Sequence, residues 1–170
     1  MPNFHTIPNE EFSSLFDRIG NDWMLITASD GECTNSMTAS WGCFGILWNK
    51  PVAVCFIRPQ RYTFGLTERA DHLSLSFFDR EYHKALAYMG AHSGRDGDKY
   101  AATGLHIYED ENGTPYVAEA HTVVLCKKLY AGQLQKEAFL VPEIVAKHYP
   151  EGDFHRMYVC EIEQILVREA

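Results

Sequence analysis

Trp23-Met24-Leu25-Ile26-Thr27-Ala28 runs into Ser29-Asp30-Gly31, and the chain resumes as Asn35-Ser36-Met37-Thr38-Ala39-Ser40-Trp41-Gly42. The first run is apolar with a β-branched centre, which suits a pleated, half-buried strand. Asp-Gly tolerates the positive φ of a tight two-strand turn and is therefore a hairpin signal. The spacing predicts one strand over residues 23–28 and another over 36–41.

Outward from this hairpin the same pattern recurs. Strands are expected over residues 52–57, 73–78, 120–129 and 156–167, the last two being the longest. Asn49-Lys50-Pro51 reads as a turn, and Asn112-Gly113 reads as a second hairpin signal before Tyr116-Val117. Helices are short. One is expected over 9–20, capped by Asn9, with Phe12, Leu15, Phe16 and Ile19 at helical spacing and Gly20 ending it. Others fall over 62–69, 81–89 and 142–148, with one turn over 99–103 and a loop over 90–98. Regular strand–helix–strand alternation is absent. The reading is a mainly β fold with peripheral helices, a closed or half-closed antiparallel barrel.

A chain of 170 residues suits one domain, here residues 1–170. A domain of that size builds a core without disulfides or metals. Fifteen basic against 23 acidic residues give a net charge of -8, which argues against nucleic acid as a partner. The five cysteines are odd in number and form no CxxC pair, so neither a disulfide framework nor a zinc ribbon is expected. Cys55, Cys126 and Cys160 sit in apolar runs, as buried thiols do. No export signal is visible, and no apolar run nears the roughly 20 residues that span a bilayer. Free thiols without such signals give the expectation of a cytoplasmic protein with no membrane partner. None of the eight histidines makes an HExxH pair or a helical ligand pair, so no metal site is expected. No P-loop, GxGxxG or GxSxG motif occurs.

Three segments carry chemistry. Asn35 to Trp41 offers small polar side chains without charge, so backbone and side chains can approach a planar heteroaromatic ring. The alternative is a strand with one polar face in water. Arg58-Pro59-Gln60-Arg61-Tyr62-Thr63 places two guanidinium forks before a helix start, a phosphate-binding combination, with Thr63 as cap or anion ligand. The alternative is a solvated turn. Ser93-Gly94-Arg95-Asp96-Gly97-Asp98-Lys99 supplies glycines for close backbone approach and two more cations. A calcium loop is disfavoured there, because its fifth position is Tyr100.

In this order and at these separations, the three segments resemble the flavin reductase-like FMN-binding family, in particular its flavoredoxin-type members. A weaker echo lies near His155 in the last strand. The resemblance implies a split β-barrel that binds FMN and works as a homodimer. It implies that Asn35, Ser36, Met37, Thr38, Ala39, Ser40 and Trp41 run along the isoalloxazine ring and ribityl chain. It further implies that Arg58, Tyr62 and Thr63 hold the phosphate, with Arg61 in the same cofactor-binding motif or else facing solvent, and that Arg95 and Lys99 close the site from the loop that also brings Ser93 and Gly94 to the cofactor. A flavin brings its own redox chemistry, so no catalytic side chain is needed, and NADH or NADPH is the transient donor. Three readings follow: an NAD(P)H-dependent flavin oxidoreductase acting on small electron donors and acceptors, an FMN electron carrier, and a small-molecule binding barrel without redox function.

Overall fold

The computed structural model of the protein describes residues 4–8 and 15–169. The Asn9 cap and Phe12 of the expected first helix lie outside the described residues. The remainder of that helix is α1 (Leu15–Gly20), in which Ile19 is buried while Phe16 stands in solvent. Among the described residues ten strands follow one another: β1 (Phe4–Thr6), β2 (Met24–Ser29), β3 (Thr34–Ala39), β4 (Gly42–Leu47), β5 (Lys50–Ile57), β6 (His72–Phe77), β7 (Ile107–Glu109), β8 (Pro115–Val117), β9 (Thr122–Gln133) and β10 (Arg156–Arg168). Four more helices are peripheral: α2 (Tyr62–Arg69), α3 (His83–Ala91), α4 (Lys99–Thr103) and α5 (Pro142–His148).

The main sheet is antiparallel in the order β3-β2-β6-β9-β10-β5-β4, with β1 added to β10. Its two end strands are consecutive in the chain, separated only by Ser40 and Trp41. So short a connection spans at most about 10 Å, so the sheet must curl until its ends approach. No ladder joins β3 to β4, and the barrel is therefore split between them.

Strand alternation divides the apolar residues into two cores. Met24, Ile26 and Ala28 of β2 face the barrel interior with Leu75, Val124, Tyr158 and Cys160. Leu25 faces the other way, into a cluster with Leu86, Met89, Leu105 and Val123 beneath α3. Buried hydroxyls between these layers are satisfied. Ser36 Oγ lies 2.7 Å from Thr27 Oγ1 and 2.8 Å from Tyr100 Oη, and Ser74 Oγ donates to Pro115 O at 2.6 Å.

Two expectations are corrected. Of the turn expected over residues 49–51, only Asn49 lies in the turn. Lys50 and Pro51 already belong to β5, paired with Leu47 and Ile46, and the turn is Trp48-Asn49, both with positive φ (53° and 59°). That type of turn ordinarily takes Asn-Gly, so Trp-Asn hid the hairpin and the whole of β4. The second strand also starts and ends two residues early, leaving Ser40 and Trp41 outside the ladder, where the chain crosses the split.

Candidate functional site

An open slot of about 470 Å³ lies against the split. β3 lines it through Met37, Thr38 and Ala39, and the crossing residues Ser40 and Trp41 continue that lining. α3 packs on β3 and adds Leu86, Ala87 and Gly90. Thr38 Oγ1 donates to Leu86 O, and a Cβ on Gly90 would stand 3.1 Å from Thr38 Cβ, so a glycine is what lets helix and strand come this close. Trp23, Phe56, Arg58, Arg61 and His155 complete the lining.

Met37 and Arg61 also border a second, polar cavity of about 230 Å³. Asn35, Gln60, Tyr62, Thr63, Ser93, Gly94, Arg95, Asp96 and Lys99 line it. The mostly apolar slot therefore adjoins a cavity bearing three cations, with Met37 and Arg61 on the shared border. Arg61 is half-buried and donates to Gly90 O at 3.0 Å; burial lowers its pKa. Arg95 donates to Gln60 O at 3.3 Å and lies over the Tyr62 ring, 5.2 Å from its centroid. Lys99 is only 4% exposed, and its ammonium donates to Ser36 O at 2.7 Å and Met89 O at 3.0 Å. Among the described residues no carboxylate forms an ion pair with any of these three. The nearby Asp98 is engaged in capping α4, accepting from Tyr100 N and Ala101 N. Burial, and next the Arg61 charge, push the Lys99 pKa down to about 8.

That shift has a testable sign. An unfolded lysine keeps its proton to pH ~10.4, so between about 8 and that value the unfolded chain binds more protons than the folded one. Stability of the ligand-free protein should therefore rise with pH in this window, by up to about 1.4 kcal/mol per unit from Lys99. Chemical denaturation of wild type and Lys99→Met at pH 8 and 10 checks it: the rise should be smaller in the variant. A bound anion restores the proton and should flatten the slope.

Other residues singled out in the sequence fall in different places. Thr63 is fully buried inside the first turn of α2, where its Oγ1 accepts from Asn35 Nδ2 at 2.8 Å; it does not cap the helix, whose N-cap is Arg61. Ser36 is fully buried and borders neither cavity; its contribution is the carbonyl that holds Lys99. Gly94 packs so closely that a Cβ would lie 2.6 Å from both Asn35 Oδ1 and Tyr62 Cδ1. Ser93 Oγ accepts from Arg95 N at 3.2 Å, shaping the loop. Arg58 borders the slot, not the cation cavity. It pairs with Asp153, donates to His148 O at 2.8 Å, and lies 5.3 Å from the centre of the Tyr149 ring.

His155 is buried against the slot, 2.8 Å through Nδ1 from Tyr149 Oη, with its ring 5.2 Å from that of Trp41. Burial first, then the charges of Arg58 and His148, push its pKa down to about 4. It is therefore neutral at pH 7, with one ring nitrogen a donor and the other an acceptor. Trp23, Phe56, Leu86, Ala87 and Gly90 were not legible as site residues. The small residues Ala87, Gly90 and Ala91 on one short helix were the available signal.

The fold and cavities define a split-barrel protein with an open, mostly apolar slot beside a cation pocket. The chain belongs to the flavin reductase like domain family, which matches residues 16–169. No curated protein matches it in sequence. Among solved structures, it is similar to an FMN-binding domain of a flavin reductases-like enzyme from Shewanella baltica, with 15% identity, a TM-score of 0.71, and coverage of 98% of this chain and 78% of that one. Flavoredoxin of Desulfovibrio vulgaris gives 23% identity and a TM-score of 0.68 over 86% of this chain and 69% of that one. A Streptomyces globisporus NADH:FAD oxidoreductase, solved with NAD and FAD fragments, gives 15% and 0.65 over 87% and 77%. These likenesses establish the flavin reductase-like fold. The donor set also suits a flavin mononucleotide: a mostly apolar slot for a tricyclic ring, lined also by Arg58 and Arg61, adjoins three cations free of carboxylate ion pairs among the described residues, which suit a phosphate.

Proposed function

We propose that the protein binds FMN and moves electrons through it, as an oxidoreductase that takes them from NADH or NADPH and delivers them to a flavin or another small acceptor. One observation carries this reading: the slot adjoins a pocket of three cations, Lys99 buried, Arg61 half-buried and Arg95 exposed, whose charges no carboxylate among the described residues pairs. Arg61, Arg95 and Lys99 hold the phosphate, helped by backbone N–H groups of the first turn of α2. Met37 to Trp41 and the Leu86-Ala87-Gly90 face of α3 flank the ring. The flavin supplies the redox chemistry when bound, and the chain binds, orients and desolvates it. Arg58 and His155 stand where a donor ring would approach, His155 offering a neutral imidazole. The likeness to an NADH:FAD oxidoreductase supports a nicotinamide donor.

The same reading includes a homodimer. Ile46, Leu47 and Trp48 at the tip of the β4–β5 hairpin are exposed, as is Cys43 on β4, and Phe56 of β5 reaches the slot. An apolar hairpin ending at the cavity is the surface a second copy would cover. All five cysteines are unpaired, which supports a reducing, cytoplasmic setting. No helix among the described residues is long and apolar enough to cross a membrane.

The test is titration of the purified protein with FMN, followed by NADH or NADPH under anaerobic conditions. Binding of about one FMN per chain and bleaching of its absorbance by either nucleotide are expected. Failure to bind FMN or riboflavin would sink the flavin reading. Binding without reduction by either nucleotide would move the protein to the electron-carrier class.

A further inference from the structure

The two walls of the slot are stitched together at the boundary of the cation pocket. Lys99 holds Ser36 O on β3 and Met89 O on α3 with one ammonium. Arg61 holds the next carbonyl of α3, Gly90 O. Both cations thus grip the last turn of the helix whose Leu86, Ala87 and Gly90 line the slot. They also repel each other, with Lys99 nearly buried and no ion-paired carboxylate to offset either. Beside the Thr38 bond to Leu86 O, the ties between the slot walls are therefore made by two groups in electrostatic conflict. An anion between them removes the conflict and holds both in place.

Resting on the flavin reading above, we propose that the cation pocket is an anion site in its own right, whose occupancy tightens α3 against β3 and raises the slot's affinity for the ring. Phosphate and ring then act as two positively coupled ligands even when they are separate molecules. Linkage requires each to raise the other's affinity by the same factor, and couplings of this kind commonly amount to about 5- to 150-fold.

Riboflavin supplies the ring without the phosphate. In wild-type protein its affinity should rise at least about fivefold when inorganic phosphate replaces chloride at constant ionic strength. Calorimetric titration of phosphate should show the same factor in reverse when riboflavin is saturating. Phosphate alone should slow amide hydrogen exchange over residues 87–91, a readout that needs no flavin. In Lys99→Met phosphate should no longer raise riboflavin affinity above the variant's own value in chloride; if that variant does not fold or binds no riboflavin, the wild-type reciprocity decides. An unchanged or weakened riboflavin affinity in phosphate, with FMN still binding tightly, overturns the coupling and leaves the flavin reading intact. Failure of both FMN and riboflavin to bind overturns the reading on which it rests.

Discussion

Arg61→Ala is expected to weaken FMN binding by roughly 10- to 100-fold, since a hydrogen bond to a charged partner is worth about 1.5–3 kcal/mol and about 1.4 kcal/mol is tenfold. Arg61 is the cation that borders both slot and cation cavity, so its guanidinium sits where a phosphate at the end of a slot-bound ligand would arrive. Riboflavin, titrated without phosphate, should lose no more than a few-fold in the same variant. Arg58→Ala provides the contrast. Its guanidinium is committed to Asp153 and His148 O and borders only the slot, so it should not discriminate FMN from riboflavin. Fluorescence titration of both ligands against both variants checks the pattern. An Arg61→Ala variant that loses both ligands equally would show that Arg61 shapes the slot and does not recognise phosphate.

The contrast between these arginines shows where sequence reasoning stops. Both lie in one hexapeptide at a helix start, and the motif favours Arg58 for the phosphate, leaving Arg61 as a residue that could face solvent. The difference is tertiary: Asp153 arrives from 95 positions away and claims Arg58. Similarly, Asn35 and Thr63 had a polar-ligand reading each, yet they satisfy one another across 28 positions. Burial of Lys99 followed from nothing local, because a Lys after Asp98 reads as a surface helix start until α3 and β3 close over it.

The fold was more legible than the site. Helices over 62–69, 99–103 and 142–148 have the bounds observed for α2, α4 and α5. Their signals are short-range: flanking prolines, caps and turn residues. The Asp30-Gly31 and Asn112-Gly113 hairpins likewise form, joining β2 to β3 and β7 to β8, because a positive φ is a one-residue property. What failed was β4, where Gly42 and Gly45 weaken the strand pattern and Trp48-Asn49 carries no turn signature. The split itself was beyond pattern reading. It depends on β3 and β4 being consecutive in the chain yet last in line from one another around the sheet.

Ala87→Trp should abolish detectable flavin binding, by roughly 100-fold or more, and leave the fold intact. His83, Ala87 and Gly90 fall on one face of α3 at helical spacing, and the His83 ring packs on Trp23, 4.1 Å between ring centres and tilted by 30°, which orients that face toward the slot. Ala87 is exposed and touches the slot alone among the cavities described, so an indole there fills ligand space without entering either core. Exposed substitutions usually change stability by less than about 0.5 kcal/mol, which for a chain this size moves the thermal midpoint by about 1–2 °C. Lys84→Trp, exposed on the same helix and away from the slot lining, should retain flavin and so controls for the added ring. Because the cation pocket has its own lining, Ala87→Trp should still bind inorganic phosphate. Flavin bound at wild-type affinity in a folded Ala87→Trp would place the ring elsewhere and refute the slot assignment, whereas loss of phosphate binding together with flavin would show that the two cavities cannot be occupied separately.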